Sequence, residues 1–405
     1  MRAYSFFIII LLCIAILVVD IISFYWLQSI TQLIKVPYIE KLVNIVFWIF
    51  TVGLISAIIL LKSRLDHMNL YRKQLLVTSL YGLTVSSFIP KLIFSIVITI
   101  LYFTNNVFSE KESLIVLPVI GLFSGFLPFF VILYGIFRTL YRFKVVRIKV
   151  YFQNLPTNFE GLRIVHISDL HLGSFNFRYS ILERAVKIIN HLEADFIFFT
   201  GDLVNNRSWE LKGWQTVLKK MSAKIGKYAV LGNHDYGDYS RWKSAERKQA
   251  NFESIKYFYK KINFRLLLNE SEIIENKGEK IAIVGVENWG NPPFKKYGDL
   301  EKSLVNVVDI PFKILLSHDP SHWSKEVIKK PSISLTLSGH THGMQAGIIF
   351  KNKQWSPIQY KYKHWGGLYK HYNQYLHVNK GLGWLGFPGR LGIRPEITLI
   401  ELHKN

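Results

Sequence analysis

The chain has 405 residues, half of them hydrophobic, one cysteine and a formal net charge of +22. That length admits two structural units at about 150 residues each. The lone Cys13 excludes an internal disulfide, so nothing requires an oxidising compartment.

Four apolar segments reach the roughly 20 residues needed to cross a bilayer: 4–26, 42–61, 75–103 and 114–137. The first is too long for a cleaved signal peptide, and further spans follow it. The third holds Pro90 and Lys91 and is expected to kink or tilt. Asp20 and Lys91 are expected to snorkel from span ends or kinks toward the interface.

Orientation follows from Lys and Arg in the links. "KSRLDHMNLYRK" after span two and "RTLYRFKVVRIK" after span four are basic. "TNNVFSEKES" is net acidic, and the first link is nearly balanced by Lys35, Glu40 and Lys41. Both ends of the chain are therefore expected in the cytoplasm, below the inner membrane. Residues 1–142 form the expected transmembrane unit and 143–160 a basic linker.

The remainder holds 39 of the 50 basic and 23 of the 28 acidic residues, a net +16. Such a field attracts phosphates, anionic lipid or nucleic acid without choosing among them. From Leu162 onward, short runs such as "LRIVHI", "FIFFT", "KYAVL", "KIAIVGV", "FKILL", "SISLTL", "QYLHV" and "ITLIEL" read as strands. "RYSILERAVKIINHL" and "ANFESIKYFYKKI" have helical period. The alternation implies a layered α/β domain over 161–405.

Five of these strands run into Asp, Asn or His: Asp169 and His171; Asp202; Asn233, His234 and Asp235; His318 and Asp319; His340 and His342. Open α/β sheets gather ligands at this carboxyl edge. Nitrogen and oxygen donors without thiolate suit manganese, iron or zinc. A lone histidine on a loop is more often structural; the joint occurrence in this order is specific.

The set Asp169-x-His171, Gly201-Asp202, Gly232-Asn233-His234-Asp235, His318 and Gly339-His340-Thr341-His342 resembles the signature of calcineurin-like metallophosphoesterases. The tail "NKGLGWLGFPGRLGIRPEITLIEL" resembles their bacterial membrane-associated branch. The resemblance implies a four-layer αββα sandwich. It also implies two divalent ions, manganese first and iron or zinc as alternatives. Asp169, His171 and His342 would hold one ion; Asn233, His318 and His340 the other; Asp202 would bridge them. His234 would protonate the leaving oxygen or stabilise the charged transition state. Metal-bound hydroxide would then hydrolyse a phosphodiester or pyrophosphate. Met344 stands where the family often has a glycine.

Asp235 and Asp319 are expected to orient the imidazoles, with turn formation as the alternative. Arg390 is expected to bind a substrate phosphate, with a plain structural role equally open. His166 is expected to be a buried structural histidine. "GDYSRWKSAERKQ" reads as a solvated helix face or a cap over the site. "KYKHWGGLYKHYNQ" reads as a membrane- or substrate-facing loop.

The membrane anchor and the positive field favour a lipid-linked phosphate substrate, and the branch resembled suggests UDP-2,3-diacylglucosamine as a specific candidate. The alternatives are a membrane-bound phosphodiesterase of nucleotides or nucleic acid and a non-catalytic membrane scaffold. The sequence sets no oligomeric state.

Overall fold

A computed structural model describes residues 6–32, 36–65, 67–105, 108–351 and 353–405. Tyr4, Ser5, Lys35, Asp66, Asn106 and Val107, which belong to the expected first span and the links, lie outside the described residues. The chain forms two units: the N-terminal helices with Gly386–Gly389, and residues 138–385 with 390–405.

The N-terminal unit contains α1 (Phe6–Thr31), α2 (Pro37–Arg64), α3 (Leu70–Phe103) and α4 (Glu110–Phe137). All four are long and apolar enough to cross a membrane, and α3 continues through Pro90. The two charges do not snorkel. Asp20 is fully buried in the middle of α1 and pairs with Lys91 Nζ of α3 at 2.9 Å. Thr51 of α2 donates to the other Asp20 oxygen at 2.5 Å. Below this rung, Ser23 and Ser95 bond at 2.9 Å, and Trp26 Nε1 donates to Thr99 Oγ1 at 2.9 Å. Polar groups one helical turn apart on α1 meet polar groups at i, i+4 and i+8 on α3. Pairing cancels the charge inside the bundle, which removes the reason to reach for the interface.

The second unit runs β1 (Lys144–Phe152), β2 (Arg163–Ile167), α5 (Tyr179–His191), β3 (Phe196–Phe199), α6 (Gln215–Leu218), β4 (Gly226–Ala229), α7 (Ala245–Lys261), β5 (Arg265–Leu266), β6 (Glu270–Asn276) and β7 (Glu279–Gly285). It continues with α8 (Leu300–Leu304), β8 (Lys313–Leu316), α9 (Ser321–Lys325), β9 (Ile333–Ser338), β10 (Ile348–Phe350), β11 (Lys353–Trp355), β12 (Gly367–His371), β13 (Gln374–Val378) and β14 (Glu396–Lys404).

One six-stranded sheet has the order β1-β14-β2-β3-β4-β5 and the other β12-β13-β9-β8-β7-β6. Their inner faces share a core that includes Ile164, Phe196, Phe198, Ile283, Ile314 and Leu335. The outer face of the first sheet is covered by α5 and α7 through Leu182, Ile189, Ile255 and Tyr259. That of the second packs on α8 and α9 through Leu300 and Trp323. The domain is the expected four-layer αββα sandwich.

The expected linker is a correction. Lys144–Phe152 is strand β1, paired in parallel with all of β14. Its basic residues alternate with Val, Ile and Phe, and the inward set ends in buried Val150 and Phe152, the period of a half-buried edge strand.

Candidate dimetal site

The strands that carry the candidate ligands come from both sheets: β2, β3 and β4 from one, β8 and β9 from the other. Their carboxyl ends meet at the seam of the sandwich. Asp169, His171 and His342 form one group of donors and Asp202, His318 and His340 a second, with the donor atoms of each within 4.8 Å of one another.

In the first group His171 Nε2 lies 3.1 Å from His342 Nε2, which is 3.3 Å from Asp169 Oδ1. In the second, His340 Nδ1 lies 3.2 Å from His318 Nε2 and 2.8 Å from Asn233 Oδ1. Asp202 Oδ2 stands between them, 3.5 Å from His171 Nε2 and 3.3 Å from His318 Nε2. One carboxylate oxygen therefore faces both groups.

These spacings fit divalent ions. Donors bound at about 2.0–2.2 Å to one cation sit roughly 3 Å apart. The tautomers also fit, because His318 Nδ1 donates to Thr200 O at 2.7 Å and leaves Nε2 as a lone pair. His171 Nδ1 is likewise engaged by Asn205 Oδ1 at 3.1 Å.

Burial sets the electrostatics. It lowers the pKa of His342 well below its ordinary value and that of His340 to about 4, so both are neutral ligand-ready imidazoles. Burial alone would lower His318 too, but the Asp202 carboxylate outweighs it and raises His318 to about 10. Burial raises Asp169, whereas the neighbouring histidines hold Asp202 well below the usual range. Two carboxylates in a dry interior need positive charge beside them; protons on histidine supply it until a metal displaces them.

The backbone is strained where the ligands sit. Asp169, His171, Asp202, His340 and His342 all have positive φ, between 46° and 72°. Side chains rarely adopt this region, and its clustering marks a functional site. Met344 shares it at φ 54°, where the family's more common glycine would be unstrained.

Residues 162–344 match the family described as Calcineurin-like phosphoesterase, and residues 1–140 match the transmembrane domain of a four-span phosphoesterase family. The chain is 31% identical over 254 residues to an uncharacterized metallophosphoesterase, YkuE, of Bacillus subtilis, covering 61% of this chain and 81% of that protein. The chain belongs to the calcineurin-like metallophosphoesterases. It is also 30% identical to a transmembrane protein with metallophosphoesterase domain from Danio rerio, covering 66% of this chain and 59% of that one. Phosphodiesterase YaeI of Escherichia coli is 25% identical, covering 64% and 88%.

Around the ligands of this metallophosphoesterase, several expected roles change. The Asp235 carboxylate accepts the backbone N–H groups of Asp202, Leu203, Val204 and Gly232. It organises the turn that carries Asp202 and touches no imidazole. Asp319 likewise accepts from the N–H groups of Asn291 and Ser321. Both carboxylates thus take the turn-forming role, the alternative reading, while the Asp319 charge also favours a proton on His340.

Arg390 is 0% exposed. Its Nε donates to Gly383 O, and its Nη2 to Lys380 O and Gly381 O. A Cβ added at Gly381 would meet Asp169 Cβ at 2.9 Å and His342 Nδ1 at 3.2 Å, so Arg390 clamps a turn packed closely against two candidate donors. Nε and Nη2 are committed to main-chain carbonyls, the structural role left open by the sequence, while Nη1 has no hydrogen-bond partner among the described residues. His166 is buried as expected, bonded to His377 and Thr200.

His234 borders the site. Its Nδ1 donates to Asn205 O at 2.7 Å, and its backbone N–H donates to Asp202 Oδ1 at 2.9 Å. Burial lowers its imidazole to about 4.

Two residues escaped sequence reasoning. Tyr239 OH accepts from Asn233 Nδ2 at 2.9 Å, which turns Asn233 Oδ1 toward His318 and His340. Tyr362 OH lies 2.8 Å from His340 Nε2 and fixes that ring with Nδ1 facing the donors. Tyr362 falls in the aromatic and basic stretch singled out above, which was the available signal. "GDYSRWKSAERKQ" divides between the loop that supplies Tyr239 and the start of α7, capped by Ser244.

Proposed function

We propose that this metallophosphoesterase hydrolyses a phosphodiester or pyrophosphate of a lipid-linked substrate, with its catalytic domain on the cytoplasmic side of a bacterial inner membrane. The observation that carries it is the Asp202 oxygen 3.5 Å from one donor group and 3.3 Å from the other. Asp169, His171 and His342 would hold one dication, and Asn233, His318 and His340 the second. Manganese is the first ion to test, with iron and zinc as alternatives.

Two dications bound here would polarise phosphoryl oxygens and lower the pKa of water. The protein's own part is positioning. Asp202 links the two donor groups, and its Oδ1 accepts the His234 backbone N–H, which fixes where that ring stands. With Nδ1 committed to Asn205 O, Nε2 is the nitrogen left to meet the substrate. A buried imidazole this weakly basic takes up a proton only beside the negative charge of a phosphate. His234 therefore stabilises or protonates the leaving oxygen only while substrate is bound.

A lipid-linked substrate is supported by the four spans and the +16 domain. The diester preference is supported by the name of the Escherichia coli relative. The cytoplasmic side is supported by the basic links after spans two and four.

The test uses the full chain in detergent with manganese and bis-p-nitrophenyl phosphate. Turnover is expected to fall by about 100-fold or more in His234→Ala and to vanish in Asp202→Ala. Wild-type rates in both variants would refute the site. Incubation with a bacterial lipid extract then identifies the substrate as the phosphate-bearing species that disappears, UDP-2,3-diacylglucosamine being the first compound to assay. Tight, steeply salt-dependent binding of DNA or RNA would instead favour a nucleic-acid substrate.

A further inference from the structure

Between Glu326 and Glu396 the sequence has no acidic residue and ten Lys or Arg. Within this stretch β10 and β11 form a separate antiparallel pair, Ile348↔Trp355 to Phe350↔Lys353. Every residue of both strands is exposed. Ile348 is 65% exposed, Phe350 68% and Trp355 43%, with the whole chain present. Lys351 follows the last residue of β10, Lys353 opens β11, and Lys361 and Lys363 come after them. Among the described residues none of these lysines has an acidic partner.

Large side chains held in water gain nothing from the fold, and an isolated two-stranded hairpin is marginal on its own. Yet the base is held firmly. Gly347 N donates to Leu391 O at 2.9 Å, and Ser356 Oγ to Gly343 O at 2.8 Å. A fixed base under exposed Ile348, Phe350 and Trp355, with lysines beside them, is the amphipathic pattern that seats at the headgroup boundary of a membrane.

We propose that the β10–β11 hairpin and the segment to Lys363 form a docking surface for an anionic phospholipid bilayer. Ile348, Phe350 and Trp355 enter the interface while the lysines meet lipid phosphates. The four spans keep a bilayer within reach, so a weak contact suffices. The surface is continuous with the site, since Thr341 Oγ1 donates to Trp365 O at 2.6 Å and Tyr362 holds His340. Docking thus presents the His340–His342 turn to lipid phosphates. The contact itself stands whether or not the domain hydrolyses lipid.

The experiment places a cysteine at Phe350 (Phe350→Cys, with Cys13→Ala), labelled with an environment-sensitive dye in the full chain. A control carries Lys277→Cys, on the exposed β6–β7 turn. In nanodiscs containing phosphatidylglycerol, quenching by doxyl lipid is expected to be about twofold or more greater at 350 than at 277. It should weaken in zwitterionic nanodiscs and in Lys351→Glu/Lys353→Glu. Hydrogen exchange over 344–360 in the unmodified chain should slow when detergent is replaced by those nanodiscs. Equal quenching at both positions, with unchanged exchange, overturns the proposal. So does protection in lipid-free detergent that grows with protein concentration, which would mean that a second copy covers the hairpin. Because neither readout uses turnover, failure here is separable from failure of the hydrolase assignment.

Discussion

Asp202 is held from three sides: by the His234 N–H, by its two histidine neighbours, and by Gly232, where an added Cβ would strike Asp202 Oδ1 and N. Gly232→Ala is therefore expected to displace the shared carboxylate, with metal content per chain, read by mass spectrometry, falling below two while the far-UV circular dichroism is kept. Tyr362→Phe removes only the hydroxyl beside His340 Nε2. Loss of such an outer partner costs about 10- to 100-fold in metal affinity, measurable by titrating the metal-free protein. An unchanged affinity would mean that the ring is oriented by packing alone. The seven candidate donors were legible because each follows a strand closely, so spacing along the chain marks them. Tyr239 and Tyr362 were not, because their proximity to Asn233 and His340 is set by loops whose paths no local pattern encodes. The two readings of Arg390 could not be separated for a related reason: a guanidinium in a glycine-rich loop has the same local sequence whether it faces solvent or the loop's own carbonyls.

Among the elements, α1, α2 and α3 are joined by the Asp20–Lys91–Thr51 cluster. Breaking a buried pair from one side leaves an uncompensated charge, typically worth about 3–5 kcal/mol, whereas removing both partners can be nearly neutral. Lys91→Met and Asp20→Leu are each expected to lower the thermal midpoint in nanodiscs. The double variant should lie closer to wild type than either. Additive losses would show that the two side chains act separately. Hydropathy located all four helices but could not pair these charges, since a charge inside an apolar run has the same sequence signature whether it is neutralised or snorkelling. Strand β1 was hidden in the same way. Its lysines and arginines read as a basic connection until β14, far away in sequence, supplied its hydrogen bonds.

At the scale of the molecule, the two sheets are tied below the site by His166 on β2 and His377 on β13, whose Nδ1 atoms are 2.8 Å apart. Burial, with the Lys380 charge adding to it, lowers His377 to about 3, despite Glu396 at 3.7 Å. Its folded pKa lies below the ordinary 6.5, so the unfolded chain binds the extra proton between those values. Stability is therefore complete above about pH 6.5 and is lost as pH falls toward 3, by a few kcal/mol at most. With chelator present, so that metal loss adds nothing, His377→Gln should flatten the dependence of the unfolding midpoint on pH across that window. The same slope in the variant would exclude this histidine. Metal binding acts on the whole fold as well. At about 1,000 times its dissociation constant, a ligand specific for the native state adds about 4 kcal/mol, so chelator alone should lower the midpoint measurably at neutral pH.

The sequence by itself determined the two units, the four apolar helices, the alternation of strands and helices, and the identity of the ligand side chains. Each of these depends on periodicity or on position relative to a strand end, which are local properties of a chain. Only the tertiary structure decided which candidate donors stand together, that Asp202 faces both groups, that Arg390 and Asp235 hold backbone, and that Asp20 meets Lys91. Most of those outcomes depend on distances between residues far apart along the chain, up to 171 positions for His171 and His342, and such distances exist only once the two sheets pack and the helices of the bundle take their register.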